Sequence, residues 1–386
     1  MSECVKAAVM KAPGVIEIER FPKPKPAKGA AVCKVVAAGV CGTDKHTYKG
    51  ETAQYVGTAA ETHGTFPLIQ GHENVLIIEE IDQTGSENLD FNGNILKPGD
   101  RVTMCPDVRC QTCHVCKHLA VYSWCPNMRF NYGNTRSCDI YPHLFGGFAE
   151  YIYIEPGTTL YKVPDGLSDE MASLTELMCV AYTLDKAKEF YSFSGEGFGF
   201  NDTIVIQGMG PLGLIHLIKA RMMGAGKIIV TDISDYKLNI AKQFGADITL
   251  NVHETTAEER LELIRQETDG LGADMVIECV GRPEVIPEGL DMVRVAGLYI
   301  EPGNFVDCGP IPISPHLICS KSIRIMGMSN HSFTGYKPSM EMMLRYKDAF
   351  PWEKFVSHVF PLDEAEQAIR TSMQPESMKV LIKPWL

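Results

Sequence analysis

Cys110, Cys113, Cys116 and Cys125 follow the pattern C-x2-C-x2-C-x8-C, a spacing at which four thiolates close around one tetrahedral zinc ion. Such a closed site holds a fold together and leaves no position for a reactant. Cys41, in Cys41-Gly42-Thr43-Asp44-Lys45-His46, and the triplet Gly71-His72-Glu73 offer a second set of different character. Thiolate, imidazole and carboxylate all bind zinc, and three protein ligands leave a fourth position to water or substrate. Glu176, in Glu176-Leu177-Met178-Cys179, is a further candidate, with Cys179 its competitor about one helical turn later. Glu73 either ligates directly or acts from behind the ligands. A closed set beside an open set predicts a structural and a catalytic ion, two Zn2+ per chain.

A third constellation is Gly208-Met209-Gly210-Pro211-Leu212-Gly213, a G-x-G-x-x-G run between an apolar stretch and a helical one. Glycine-rich turns are common, but here the context is the one dinucleotide binding requires. The first glycine permits the tight turn, the second lets pyrophosphate approach the backbone, and the third lets helix pack on strand. The phosphates then meet the free N–H groups of a helix N-terminus. Asp232 follows about 20 residues on, where a carboxylate binds both ribose hydroxyls and repels a 2'-phosphate. Ile233 and Ser234 supply no cation to receive such a phosphate, so the expected cofactor is NAD.

The elements that must position these residues fall into two textures. Up to about residue 165 the chain is rich in Gly, Pro and short β-branched runs such as Ala31-Val32-Cys33-Lys34-Val35-Val36, which predicts a largely β domain. Ser168 is a helix cap, and the apolar spacing of Leu174, Leu177 and Leu184 predicts one helix running on from it. Strands at 203–207, 227–231, 248–251, 275–279, 297–300 and 323–327 then alternate with helices at 211–222 and 235–244, around Leu261 to Ile264, and at 284–295. That alternation predicts an α/β doubly wound parallel sheet. The tail from about His331, with a strand at 378–382, is expected to fold back on the first domain. The expected division is 1–175 with 331–386, and 176–330.

At 386 residues the chain can build two cores. A net charge of -12 argues against nucleic acid or an anionic membrane as partner, and no apolar run of about 18 residues predicts a membrane span. Met1-Ser2-Glu3-Cys4 opens without a basic stretch and apolar run, and thirteen cysteines suit a reducing compartment, so the expected location is the cytoplasm.

These motifs resemble, over essentially the whole chain, the zinc-dependent medium-chain dehydrogenases, the alcohol and polyol dehydrogenase superfamily. The resemblance implies a GroES-like catalytic domain and a Rossmann NAD-binding domain. It implies Cys41 and His72 as catalytic zinc ligands, with Glu176 standing where alcohol dehydrogenases have cysteine and where sorbitol, threonine and glucose dehydrogenases have glutamate. It makes Thr43 the hydroxyl that meets the substrate oxygen and His46 the outer member of a proton relay. Lys237, Val280 and Arg282 fall at cofactor-contacting positions. The implied activity is oxidation of a secondary alcohol, a polyol, sugar or cyclitol, by a homodimer or homotetramer. The alternatives are a simple alcohol dehydrogenase or carbonyl reductase of the same family, and a non-catalytic nucleotide-binding relative. Two departures stand out: eight residues, Lys117 to Trp124, before the last cysteine where seven are usual, and a long segment from Tyr48 to Phe66.

Overall fold

Ala31–Gly39 consists almost wholly of small and β-branched residues, nearly all buried, and it forms the strand on which the first unit is built. Glu73–Ile81 pairs with it antiparallel on one side, Tyr151–Ile154 and Lys379–Lys383 on the other. The full sheet has seven strands and is completed by Arg101–Met104, Leu160–Lys162 and Val356–Pro361. Cys4–Ala12, Val15–Pro22 and Leu68–Ile69 make a separate three-stranded sheet. One register matters most. Gly39 lies opposite Glu73 and also opposite Leu381, so the ends of three strands meet there.

The structure, a computed structural model, describes residues 3–82, 88–118, 125–187, 198–331 and 333–386. The chain divides into two compact units, Met1–Cys179 with Ser332–Leu386, and Val180–His331. The tail belongs to the first unit: helix Ala365–Ser372 lies between its parallel strands Val356–Pro361 and Lys379–Lys383.

The second unit is a six-stranded parallel sheet of Thr203–Gln207 (β1), Lys227–Asp232 (β2), Ile248–Asn251 (β3), Ala273–Glu278 (β4), Val293–Glu301 (β5) and Arg324–Gly327 (β6). Their spatial order is 3-2-1-4-5-6, which reverses direction between β1 and β4, the place where such sheets bind ligands at their carboxyl ends. Ile204, Val205, Ile206, Ile228, Ile229, Val230, Met275, Val276 and Ile277 are all fully buried, as strands covered on both faces must be. Helix Pro211–Met222 follows β1 directly.

Two local expectations fail for identifiable reasons. The helix expected from Ser168 through Leu184 is three short helices, Asp169–Ala172, Thr175–Val180 and Thr183–Ala187. Ser168 does cap the first, its Oγ accepting from the Met171 N–H at 3.2 Å. Ser173 and Thr175 then donate their hydroxyls to the carbonyls of Glu170 and Ala172, both at 2.7 Å, in competition with the helical ladder. The helix expected to reach Val295 ends at Met292, because Val293-Arg294-Val295 already belongs to β5. The Tyr48 to Phe66 segment carries a short antiparallel pair, Ala53–Gln54 with Thr62–His63. Most of the loop between Lys117 and Trp124, residues 119–124, lies outside the described residues.

Candidate active site

The four-cysteine lobe is gathered by backbone. The N–H groups of Thr112 and Cys113 donate to Cys110 Sγ at 3.5 and 3.4 Å, and that of Cys116 to Cys113 Sγ at 3.5 Å. All four sulfurs lie within 4.8 Å of one another. Sγ–Sγ separations are 3.9 Å for Cys110–Cys116, 3.8 Å for Cys113–Cys125, 3.6 Å for Cys110–Cys125 and 3.5 Å for Cys116–Cys125. A zinc tetrahedron with Zn–S bonds of about 2.3 Å has edges of about 3.8 Å. The thiols also compete for charge. Hydrogen bonds from Thr112 and Cys113 pull Cys110 down to about 5, whereas burial pushes Cys116 up to about 12 and raises Cys125. Four thiolates become compatible only around a cation, and the geometry fits Zn2+.

The second ligand set arises from the Gly39–Glu73 register. The chain leaves Gly39 and reaches Cys41 two residues later, while His72 immediately precedes Glu73, so both ligands emerge at the same end of the sheet. Cys41 caps helix Gly42–Tyr48, and Asp44 ties the parts together: its carboxylate accepts from the Cys41 N–H at 2.8 Å and the Gly71 N–H at 3.2 Å. Thr43 Oγ1 is 3.9 Å from Cys41 Sγ, and Asn134 Nδ2 is 3.5 Å from His72 Nδ1. Burial disfavours the His72 imidazolium, yet Cys41, Asp44 and Glu176 together hold its pKa well above the usual histidine value. A surplus of negative charge around a buried imidazole suits a divalent cation. The ligand atoms of Cys41, His72 and Glu176 are not drawn as close as those of the thiol lobe.

Glu73 has a different partner. It forms an ion pair with Lys379, both side chains being at most 2% exposed, and Lys379 Nζ also donates to the Val40 carbonyl at 3.1 Å. Burial works against the Lys379 ammonium, but Glu73, Cys41 and Glu176 raise its pKa. Glu176 is buried on Thr175–Val180, where its charge also acts on His72 and Lys379, and Cys179 Sγ lies 3.7 Å from Ser339 Oγ. His46 Nδ1 contacts the Glu51 carboxylate, and the backbone N–H of Glu51 donates to the His46 carbonyl at 2.9 Å. Asp44, Asn134, Lys379 and Glu51 thus surround the expected ligands and relay without having been singled out for these tasks. Only Asp44 carried a local signal, a carboxylate three residues after the cap.

In the second unit the three glycines divide their tasks by space. Gly208 has φ +89°, and a Cβ on Gly213 would lie 1.9 Å from the Gly208 carbonyl oxygen, so helix and turn are in contact there. Nothing lies within 4 Å of the position a Cβ would take on Gly210, which leaves open the cradle a pyrophosphate needs. Pro211 and Leu212 start the helix whose N–H groups face that space, with no side chain capping it. Asp232 ends β2, accepting from the Met209 N–H at 2.6 Å and the Ser234 N–H at 2.8 Å. Lys237 is half-buried, and Val280 and Arg282 are exposed on the turn after β4.

Fold and sites are those of a dehydrogenase that uses zinc and a nicotinamide dinucleotide. Residues 27–165 match the alcohol dehydrogenase GroES-like domain family, and residues 211–345 the zinc-binding dehydrogenase family. The chain is 31% identical to 5-exo-hydroxycamphor dehydrogenase of Pseudomonas putida over 94% of each chain. It is 31% identical to sorbitol dehydrogenase of Bacillus subtilis over 98% of this chain and 97% of that one. Among solved structures, an alcohol dehydrogenase from Thermotoga maritima superposes with a TM-score of 0.86 at 30% identity, covering 99% and 100% of the two chains. The chain belongs to the zinc-dependent medium-chain dehydrogenase/reductase superfamily. It is an alcohol-oxidising oxidoreductase with zinc and NAD(P) as cofactors, acting on a small alcohol. No helix among the described residues is long and apolar enough to cross a membrane.

Proposed function

We propose that the chain oxidises a secondary alcohol flanked by polar groups, as in a polyol, sugar or cyclitol, to the ketone with NAD as hydride acceptor. The first unit is the catalytic domain and Val180–His331 the dinucleotide-binding domain. Two zinc ions bind per chain, one on the four cysteines and one on Cys41, His72 and Glu176. The observation that supports this reading is the buried Lys379–Glu73 pair, which engages Glu73 and favours Glu176 as the third protein ligand. A carboxylate in that position makes the metal's surroundings more polar than a thiolate would.

Bound zinc would supply a Lewis acid and NAD a hydride acceptor. The chain handles the proton. Thr43, two residues beyond Cys41, receives it from the substrate hydroxyl, and His46 passes it to solvent while Glu51 orients the imidazole. Asp232 selects NAD by pairing with the adenosine ribose. A homodimer or homotetramer in the cytoplasm completes the reading, and the outermost strand β6 has one edge with which to pair.

The sorbitol dehydrogenase relative favours the polyol reading. The hydroxycamphor dehydrogenase relative, equally similar, raises cyclic apolar alcohols as the rival. A substrate panel read at 340 nm decides between them. Sorbitol-like and cyclitol substrates should exceed ethanol and borneol-like alcohols in kcat/KM by tenfold or more, about 1.4 kcal/mol of transition-state binding. A tenfold advantage for the apolar alcohols would reverse the assignment.

A further inference from the structure

Three neighbouring strands of the second unit end in polar residues that share one face: Gln207 on β1, Glu278 on β4 and Glu301 on β5. Gln207 is in register with Glu278, and Ile277 with Ile300, which sets Glu301 beside Glu278. Glu278 is fully buried, and Glu301 Oε2 is buried without a hydrogen-bond partner. Two turns close over these carboxyls. Glu278 Oε1 accepts from the N–H groups of Val280 at 2.6 Å and Gly281 at 2.8 Å. Asn304 Nδ2 donates to Glu278 Oε2 at 3.1 Å and Glu301 Oε1 at 3.0 Å, and its N–H also donates to Glu301 Oε1 at 3.0 Å. A Cβ on Gly303 would lie 2.0 Å from Glu278 Oε2, and one on Gly281 2.9 Å from the Gly303 carbonyl oxygen, so the turns leave no room for larger residues.

The titratable groups facing Glu278 are Glu301, Tyr299 two residues before it on β5, and Cys279 next in sequence; Gln207 and Asn304 carry no charge. Burial holds Tyr299 and Cys279 neutral. Burial likewise raises Glu278, and the charge of the neighbouring Glu301 raises it further, to about 8, against the two N–H donors. Two carboxyls this close ionise one after the other, not together.

We propose that Glu278 and Glu301 hold one proton between them, and that this carboxyl–carboxylate pair positions the turn Cys279–Arg282 for the dinucleotide. The inference rests on the reading that Val280 and Arg282 contact the cofactor. When the proton leaves to solvent, two like charges remain in a buried cluster, the turns part, and the dinucleotide is held less well. The free protein carries the same proton. Because Glu278 has a folded pKa above its unfolded value, the folded chain binds the extra proton between the two. Its contribution to stability therefore falls as pH rises from the ordinary carboxylate range to about 8.

NADH fluorescence titrations of the zinc-loaded enzyme, with thermal unfolding of the cofactor-free protein alongside, test this. In the natural protein the Kd for NADH should rise roughly tenfold between about pH 7 and about pH 9.5. In Glu301→Gln the amide donates to Glu278, no proton is shared, and both the alkaline loss of affinity and the pH slope of unfolding should shrink. An equal alkaline loss in both proteins would refute the shared proton. A pH slope of unfolding that shrinks in the variant while NADH affinity stays flat in both would show that the proton exists and the cofactor reading of the turn is what fails, and the proposal with it.

Discussion

In the proposed reading Asp232 serves two ends at once: its carboxylate holds the Met209 N–H of the glycine-rich turn, and its charge would disfavour a 2'-phosphate. Asp232→Asn keeps an acceptor for the turn while removing the charge. The ratio of kcat/KM for NADP to that for NAD should rise at least about tenfold, in line with roughly 1.5–3 kcal/mol for a hydrogen bond to a charged group. Steady-state kinetics with both cofactors checks it, and an unchanged ratio would remove Asp232 from cofactor selection. The residues that could be read from sequence are those whose meaning is local. Four cysteines within sixteen positions and three glycines within six carry their geometry in their spacing. Lys379 carried no such signal, because its relation to Glu73 exists only once two distant strands flank Ala31–Gly39. Asn134 meets His72 in the same way, through a loop whose path no periodicity discloses.

Among elements, the parallel sheet was the most legible, since strands buried on both faces are written as unbroken apolar runs and the helices between them by their spacing. The region after Ser168 was not, because hydroxyl side chains at Ser173 and Thr175 break a helix that apolar spacing alone would continue. The thiol lobe is an element of another kind, its cysteines gathered by N–H groups that donate to sulfur. Cys113→Ser should therefore melt the lobe and leave the sheet standing. We expect one zinc fewer per chain by atomic absorption and faster proteolysis within residues 105–130, with loss of activity secondary to loss of stability. Retention of two zinc ions in that variant would refute the four-cysteine site.

On the scale of the whole molecule, the first unit is built from both ends of the chain and the second from one unbroken stretch. Removing Lys379–Leu386 takes away the strand lying between Ala31–Gly39 and Val356–Pro361 and strips Glu73 of its buried partner. Breaking such a pair alone costs roughly 3–5 kcal/mol. Calorimetry of the truncated protein should show the transition of the first unit lost or greatly lowered, with that of residues 180–331 retained. A single undiminished transition would mean that the tail strand is dispensable.

The position of Lys379, about three hundred residues beyond His72, also sets a timetable for synthesis. Domains fold as they emerge from the ribosome, and the dinucleotide-binding stretch is complete before Lys379 is added. The strands that carry Cys41 and His72 are made first, yet they wait longest, with Glu73 lacking its counter-charge until Lys379 has been added. A nascent chain stalled before Lys379 would thus bind dinucleotide before it could assemble a working metal site.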